Sequence, residues 1–73
     1  MTTPIPAHIT GTVWTVEVAV GDAVAVGDAV VILESMKMEM PVEAEVAGVV
    51  EEILCEKGQS VNEGDALLTV RPT

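Results

Sequence analysis

The chain has 73 residues, enough for one small domain, and its 12 Asp and Glu against 3 Lys and Arg give a formal net charge of −9. A charge of this sign disfavours binding to nucleic acid and docking on anionic membranes, so we expect neither among its partners. The hydrophobic share of 49% excludes a disordered acidic tail, and the sequence therefore predicts a folded domain.

The residue types favour strands over helices. Val, Ile and Thr are abundant, Phe and Tyr are absent, and Trp14 is the only tryptophan, so the core must be built from β-branched residues, Ala and Leu. Cys55 is the only cysteine and cannot form a disulfide within the chain. No apolar run is long enough for a membrane span, and no basic segment precedes an apolar stretch at the start. We therefore expect a cytoplasmic protein.

Glycine-led turns divide the chain into eight short apolar segments. We predict strands over residues 5–9, 12–18, 23–26 and 29–34 in the first half, and over 40–46, 49–55, 60–63 and 66–71 in the second. The glycines between them, Gly11 and Gly48 included, indicate turns with positive φ. Val13, Val16 and Val18 do not keep a strict two-residue alternation, which predicts a bulge or a strand that passes between sheets.

The two halves of the chain repeat one another. At an offset of 37 residues, 4–33 align with 41–70 without a gap, and the glycines of the two copies coincide. A period of this length indicates two copies of one supersecondary unit. Neither copy can bury its apolar face alone, so we expect them to pack face to face about an approximate twofold axis.

The predicted fold is all-β. Eight short strands in two equivalent sets fit a flattened barrel or sandwich of two four-stranded antiparallel sheets with internal pseudo-twofold symmetry, a barrel-sandwich hybrid. We expect residues 1–73 to form a single domain in which a hairpin over residues 34–40 joins the two copies.

This hairpin breaks a local rule. A two-residue hairpin loop requires positive φ, yet Ser35-Met36-Lys37-Met38 contains no Gly, Asn, Asp or Pro. The other predicted turns have suitable residues, and a single local violation in an otherwise consistent sequence is typical of a functional site. The segment also holds one of only two lysines, midway between the copies, which places Lys37 at one end of the molecule.

The hairpin and its flanks also carry a resemblance to a known family. Glu34-Ser35-Met36-Lys37-Met38-Glu39 resembles the attachment motif of the biotinyl/lipoyl-attachment domains, and most closely that of the biotin carboxyl carriers. The glycine-led runs 21–28 and 58–65 are also similar to that family, and the resemblance extends over residues 4–71. Ser35 stands where many members have Ala.

The resemblance implies a covalent biotin on the ε-amine of Lys37, attached by a biotin protein ligase that recognises Glu34, Ser35, Met36 and Met38. A surface lysine is an ammonium ion at neutral pH, so the ligase must supply the activated biotin and also the base. The resemblance further implies a non-catalytic carrier that takes a carboxyl group from biotin carboxylase to carboxyltransferase. The gapless repeat places the chain among the members without the thumb insertion, and we expect a small stand-alone carrier that associates non-covalently with its enzymes.

Two other functions remain open. A lipoyl carrier would share the fold, but lipoyl domains resemble Asp-Lys-Ala at the point where Met36 and Met38 flank Lys37 here. An unmodified β interaction module would use the same tip to contact a protein partner.

Outside the hairpin we predict neither a catalytic nor a metal site. His8 and Lys57 are expected to be solvated, whereas Met40 and Cys55 are expected to belong to the core. Trp14 aligns with Glu51 in the repeat and is therefore expected to face outward, either as an interaction site or as a cover for the core edge.

Overall fold

The computed structural model describes residues 2–72 and contains eight strands in two sheets. The strands are β1 (Thr3–Pro6), β2 (Gly11–Val16), β3 (Ala23–Val24), β4 (Ala29–Ser35), β5 (Met38–Glu43), β6 (Gly48–Ile53), β7 (Ser60–Val61) and β8 (Ala66–Pro72). One antiparallel sheet has the order β1-β8-β6-β3 and the other the order β5-β4-β2-β7. The predicted all-β fold with two four-stranded antiparallel sheets is confirmed. Residues 2–72 contain no membrane-spanning helix.

The two copies of the repeat exchange strands, so the expectation that one copy packs face to face on the other is wrong. Each sheet contains two strands from the first copy and two from the second. The hydrogen bonds between the copies occur in equivalent pairs. Gly21 N–H donates to the Val50 carbonyl at 2.8 Å, and Gly58 N–H donates to the Val13 carbonyl at the same distance. This reciprocity is the predicted pseudo-twofold symmetry at the level of single bonds.

The first strand of each copy lies two or three residues nearer the N-terminus than the sequence predicts. The chain leaves the sheet ladder at Ala7 and Ala44, whose N–H groups donate instead to the carbonyls of Asp65 and Asp28, each at 2.8 Å. Apolar residues continue beyond these points because Ile9 and Val46 pack against the core from loops. A local apolar pattern therefore extends past the end of each strand.

The core lies between the sheets and consists mainly of Val and Leu. Its buried members are Ile5, Ala7, Val13, Val24, Val30, Val31, Leu33, Val42, Ala44, Val50, Cys55, Val61, Leu67, Leu68 and Val70. The predicted irregularity in β2 is a register shift between Val13 and Thr15, and β6 has its equivalent between Val50 and Glu52. The bulges let Val13 and Val16 of β2, and Val50 and Ile53 of β6, pack on the core.

Four equivalent turns connect the short strands. In the turn over residues 25–28, Gly27 has φ +93° and Asp28 N–H donates to the Ala25 carbonyl at 3.0 Å, as in a type II turn. The Asp28 carboxylate also accepts from Ala25 N–H at 2.9 Å. The other three turns, over 19–22, 56–59 and 62–65, repeat this arrangement. The Gly-Asp and Gly-Gln pairs therefore form and stabilise these turns.

Candidate functional site

The β4–β5 hairpin is the longest pairing in its sheet and ends in a two-residue turn. The strands pair from Ala29 opposite Glu43 to Ser35 opposite Met38, which leaves Met36 and Lys37 as the loop. Met36 has φ +52° and Lys37 has φ +66°. Positive φ at both central residues is the mark of the type I′ turn, whose twist matches that of the flanking strands. The turn demanded by the sheet is thus built from residues that disfavour it.

This backbone conformation costs free energy. Among residues 2–72, Met36 and Lys37 are the only non-glycine residues with positive φ, and such a conformation costs an L-residue roughly 1–2 kcal/mol. The long β4–β5 pairing and the buried residues Val31, Leu33 and Val42 hold the turn in place. Glycine or asparagine would relax the turn, so its side chains serve something other than folding.

The side chains of the turn project into solvent. Met36 is 93% exposed and Met38 is 63% exposed, and Lys37 is exposed as well. Two large thioethers this accessible contribute little to the core. The arrangement presents a primary amine with an apolar group on either side, and an approaching protein could enclose all three.

Gly11 supports the base of the hairpin, in a role that the sequence does not reveal. It begins β2 next to the end of β4, and a Cβ atom there would lie 2.5 Å from the Glu34 carbonyl oxygen and 3.4 Å from Ser35 Cβ. The prediction of turn glycines with positive φ is wrong for Gly11 and Gly48, since neither is among the positive-φ residues. The close approach of β2 and β4 explains why residue 11 is a glycine.

Two carboxylates stand beside the turn. Glu34 on β4 lies directly opposite Glu39 on β5, and opposed residues of an antiparallel pair have Cβ atoms about 4.5–5.5 Å apart. Like charges at this position destabilise a sheet, so they too are better explained by contact with a partner than by folding. Ser35 is half-buried beneath the tip. No group of three or more metal-ligating side chains occurs in the described part of the chain.

The remaining candidate residues lie away from the hairpin. Trp14 is 46% exposed on β2, which confirms its outward orientation, and His8 and Lys57 are exposed as predicted. Cys55 belongs to the core, and burial raises the pKa of its thiol. The prediction of a core position for Met40 is wrong, because it is only half-buried near the hairpin turn, opposite Leu33.

Comparison with known proteins agrees with this geometry. The family model described as "Biotin-requiring enzyme", for biotin/lipoyl attachment, matches residues 1–70. The chain belongs to the biotin/lipoyl attachment family. The family resemblance seen in the sequence is thereby confirmed.

The relatives include small proteins as well as segments of large ones. The chain is 45% identical to the Bacillus subtilis biotin/lipoyl attachment protein, covering 88% of each. It is 40% identical to the Mycobacterium leprae biotinylated protein TB7.3 homolog, covering 96% of this chain and 99% of that one. A biotin carboxyl carrier protein of Streptococcus mutans is 46% identical, with 90% of this chain and 51% of the relative covered.

The same fold occurs inside a solved carboxylase. The urea carboxylase of Kluyveromyces lactis superposes with a TM-score of 0.91 at 38% identity, over 97% of this chain but only 6% of the enzyme. These relatives support a non-catalytic carrier with covalently attached biotin, and they make the lipoyl alternative less favoured.

Proposed function

We propose that this chain is a biotin carboxyl carrier whose biotin is attached to Lys37. The observation that carries the proposal is the Met36-Lys37 turn, in which two residues keep an unfavourable positive φ at an exposed tip. A strained turn that retains a lysine indicates that the amine itself is required. The hairpin fits the group, because a single amide bond needs only an accessible amine and space around it.

Lys37 acts as the nucleophile when the arm is attached. The reaction forms an amide bond between Nζ and the biotin carboxyl carbon and releases AMP from biotinyl-adenylate, which a biotin protein ligase makes from biotin and ATP. Two protons leave Nζ. One must pass to a base before the attack, and we assign that base to the ligase; the second leaves as the amide forms and is taken up by the released AMP or by water. Attachment removes one positive charge, so the formal net charge of −9 becomes −10 (−9 − 1).

The residues around Lys37 serve recognition. We assign Met36 and Met38 to apolar contacts with the ligase, because both are exposed and both are polarisable and adaptable. Glu34 and Ser35 lie at the end of β4 and provide polar contacts beside them. Burying two exposed thioethers is favourable in itself, so the ligase gains affinity from side chains that leave the fold unchanged.

The loaded arm works between two enzyme activities. When bound, biotin supplies a ring nitrogen that accepts a carboxyl group at biotin carboxylase and releases it at carboxyltransferase. The sheet gives Lys37 a rigid base, so the partners can engage the arm without unfolding the domain. We place this work in the cytoplasm, with no role for nucleic acid or membrane, which accords with the charge of −9.

The test is the intact mass of the chain after co-expression with a biotin protein ligase. We expect the wild-type chain to gain the mass of one biotinyl group, and Lys37→Arg to gain none. Lys57→Arg is the matched control, since Lys57 is the only other lysine, and it should be modified like the wild type. A lipoyl mass, an unmodified wild-type chain or a biotinylated Lys37→Arg would contradict the proposal.

A further inference from the structure

The two outer faces of the sandwich differ although their folds are equivalent. On the β5-β4-β2-β7 sheet, Ile32 pairs with Thr15 on one side and with Pro41 on the other. Ile32 is only half-buried while Val31 and Leu33 beside it are fully buried, so Ile32 faces outward.

Trp14 belongs to the same outer face. It lies in the bulge between Val13 and Thr15, next to the position of Ile32, and is 46% exposed. We call Trp14, Ile32 and Pro41 the apolar face. Its members come from three adjacent strands, β2, β4 and β5.

The internal repeat shows that folding does not require this face. At the offset of 37 residues, Trp14 corresponds to Glu51 and Ile32 to Thr69. Glu51 occupies the same bulge in β6 and is exposed. The same backbone therefore forms with polar side chains at the positions of Trp14 and Ile32, while Pro41 has an identical equivalent in Pro4. The aromatic ring thus has a purpose other than stability.

The apolar face begins near the hairpin tip and extends away from it along β4 and its two neighbouring strands. Met36 follows Ile32 by four positions, which is roughly 13 Å at 3.3 Å per residue. A standard interface covers about 800 Å² on each partner, a patch of roughly 16 Å radius. Trp14 lies beside Ile32 on the neighbouring strand, about 17 Å from Lys37, so it stands at the rim of a footprint centred on Lys37, and a partner that seats on the β2 side of the tip covers it.

Charge selects the kind of partner. Glu34 and Glu39 lie on the outer face between Trp14 and the tip, because both continue the outward positions of Ile32 and Pro41. The turn that adjoins Val13 carries Glu56 and Lys57 and adds no net charge. A second copy would bring another charge of −9 against these carboxylates, so self-association is disfavoured.

We propose that the apolar face docks on the biotin carboxylase that loads the arm, at a surface with an apolar recess flanked by Lys and Arg. The inference rests on the proposed biotin-carrier function. The carrier must find this enzyme in every cycle, and the exposed large apolar side chains of the hairpin are only Met36 and Met38. Trp14, half-exposed on the adjoining outer face, is of the residue type that most often dominates such contacts.

The first test is a set of substitutions that use the repeat as a guide. Trp14→Glu installs the side chain of the equivalent position, and Trp14→Ser removes the ring without adding charge. We expect both to be biotinylated at the wild-type rate and to raise the KM for the carrier in bicarbonate- and ATP-dependent carboxylation at least about tenfold. The matched control is Glu51→Ser on the opposite face, which should leave that KM unchanged.

The second test uses the single tryptophan directly. Biotinylated chain labelled with 5-fluorotryptophan has one ¹⁹F resonance, because Trp14 is the only tryptophan. Titration with the biotin carboxylase component purified from the source organism should shift or broaden this resonance, and the Lys37→Arg chain should respond at higher concentrations of the enzyme.

Four results would overturn the inference. They are a KM unchanged by both Trp14 variants, an equal loss in the rate of biotinylation, a ¹⁹F shift produced by biotinylation alone, and one produced by raising the carrier concentration alone. A loss in the rate of biotinylation would assign the apolar face to the ligase. A shift on biotinylation alone would assign it to the chain's own arm, and a shift on raising the carrier concentration would assign it to a second copy. Failure of the wild-type chain to gain biotin would instead contradict the proposed function, so the two failures are distinguishable.

Discussion

Met36 shows how a single residue can be kept against its own conformational preference. Its φ of +52° suits glycine, and its side chain, 93% exposed, adds little to the core. Neither the backbone conformation nor packing against the core explains why this residue is a methionine. Contact with another protein does, which is why the turn is more informative than any buried residue of the fold.

Replacement of Met36 by glycine should separate stability from recognition. We expect Met36→Gly to stabilise the chain by roughly 0.5–1 kcal/mol, because relief of the strained φ outweighs the added flexibility of the unfolded state. Biotinylation by the ligase should slow in the same variant. Urea unfolding and initial rates of modification measure the two effects. A less stable variant would show that the thioether serves the fold, and one modified at the wild-type rate would show that the ligase does not recognise it.

Thr69 carries a buried hydroxyl without a partner. Its Oγ1 atom is inaccessible and makes no hydrogen bond, and Ile32 occupies the equivalent position in the other sheet. Thr69→Val keeps the shape and removes the unsatisfied group, so we expect a gain of about 1 kcal/mol in the free energy of unfolding.

Thr10→Val is the control for this substitution. The Thr10 hydroxyl accepts from Glu63 N–H at 3.2 Å, so the same change should be neutral or destabilising there. Denaturant titration of both variants gives the comparison. Equal effects at the two sites would mean that the hydroxyl of Thr69 is satisfied in solution.

At the scale of elements, the hairpin depends on the strand beside it. Gly11 lets the start of β2 approach the end of β4, and the Cβ of any other residue would lie 2.5 Å from the Glu34 carbonyl oxygen. The obstacle is backbone, which cannot move aside without disturbing the ladder that positions Ser35 and the turn.

Gly11→Ala should therefore lower both stability and the rate of biotinylation. We expect a loss of about 1–3 kcal/mol, as in other overpacked sites. Gly27→Ala provides a matched control, because its Cβ would meet nothing within 4 Å and only the φ of +93° is strained. That variant should lose about 1–2 kcal/mol and keep the wild-type rate of modification. If both variants are modified equally, Gly11 acts on stability alone.

At the scale of the whole molecule, charge governs encounter. The net charge of −9 on 73 residues produces a strongly negative surface potential, and the Lys37 tip projects from it. Oppositely charged partner surfaces attract such a body over distances comparable to the Debye length, about 8 Å at physiological salt.

The rate at which biotin carboxylase uses the carrier should accordingly fall with ionic strength. We expect kcat/KM for the biotinylated chain to decrease several-fold when added NaCl shortens the Debye length from about 10 Å to about 3 Å. Free biotin as substrate is the control, since it lacks the charge of the domain. A flat salt profile for the carrier would rule out electrostatic steering.

Much of the architecture could be predicted from the sequence because it follows from local preferences. β-branched residues between Gly-Asp turns indicate strands whatever their partners, and the offset of 37 residues implies equivalent halves. The position of Lys37 between those halves also indicates the tip. The ends of β1 and β5 could not be predicted, because Ile9 and Val46 pack on the core from loops and extend the apolar pattern beyond the ladder.

The amino-acid sequence by itself determined that this protein is a doubled all-β domain with one strained, lysine-bearing hairpin. Only the tertiary structure decided which strands share a sheet, why Gly11 must be glycine, and that Trp14 and Ile32 lie on one outer face beside the hairpin. The physical reason is range. Turn and strand preferences act between neighbours in the chain, whereas register, close approach and the composition of a face depend on pairings between distant residues.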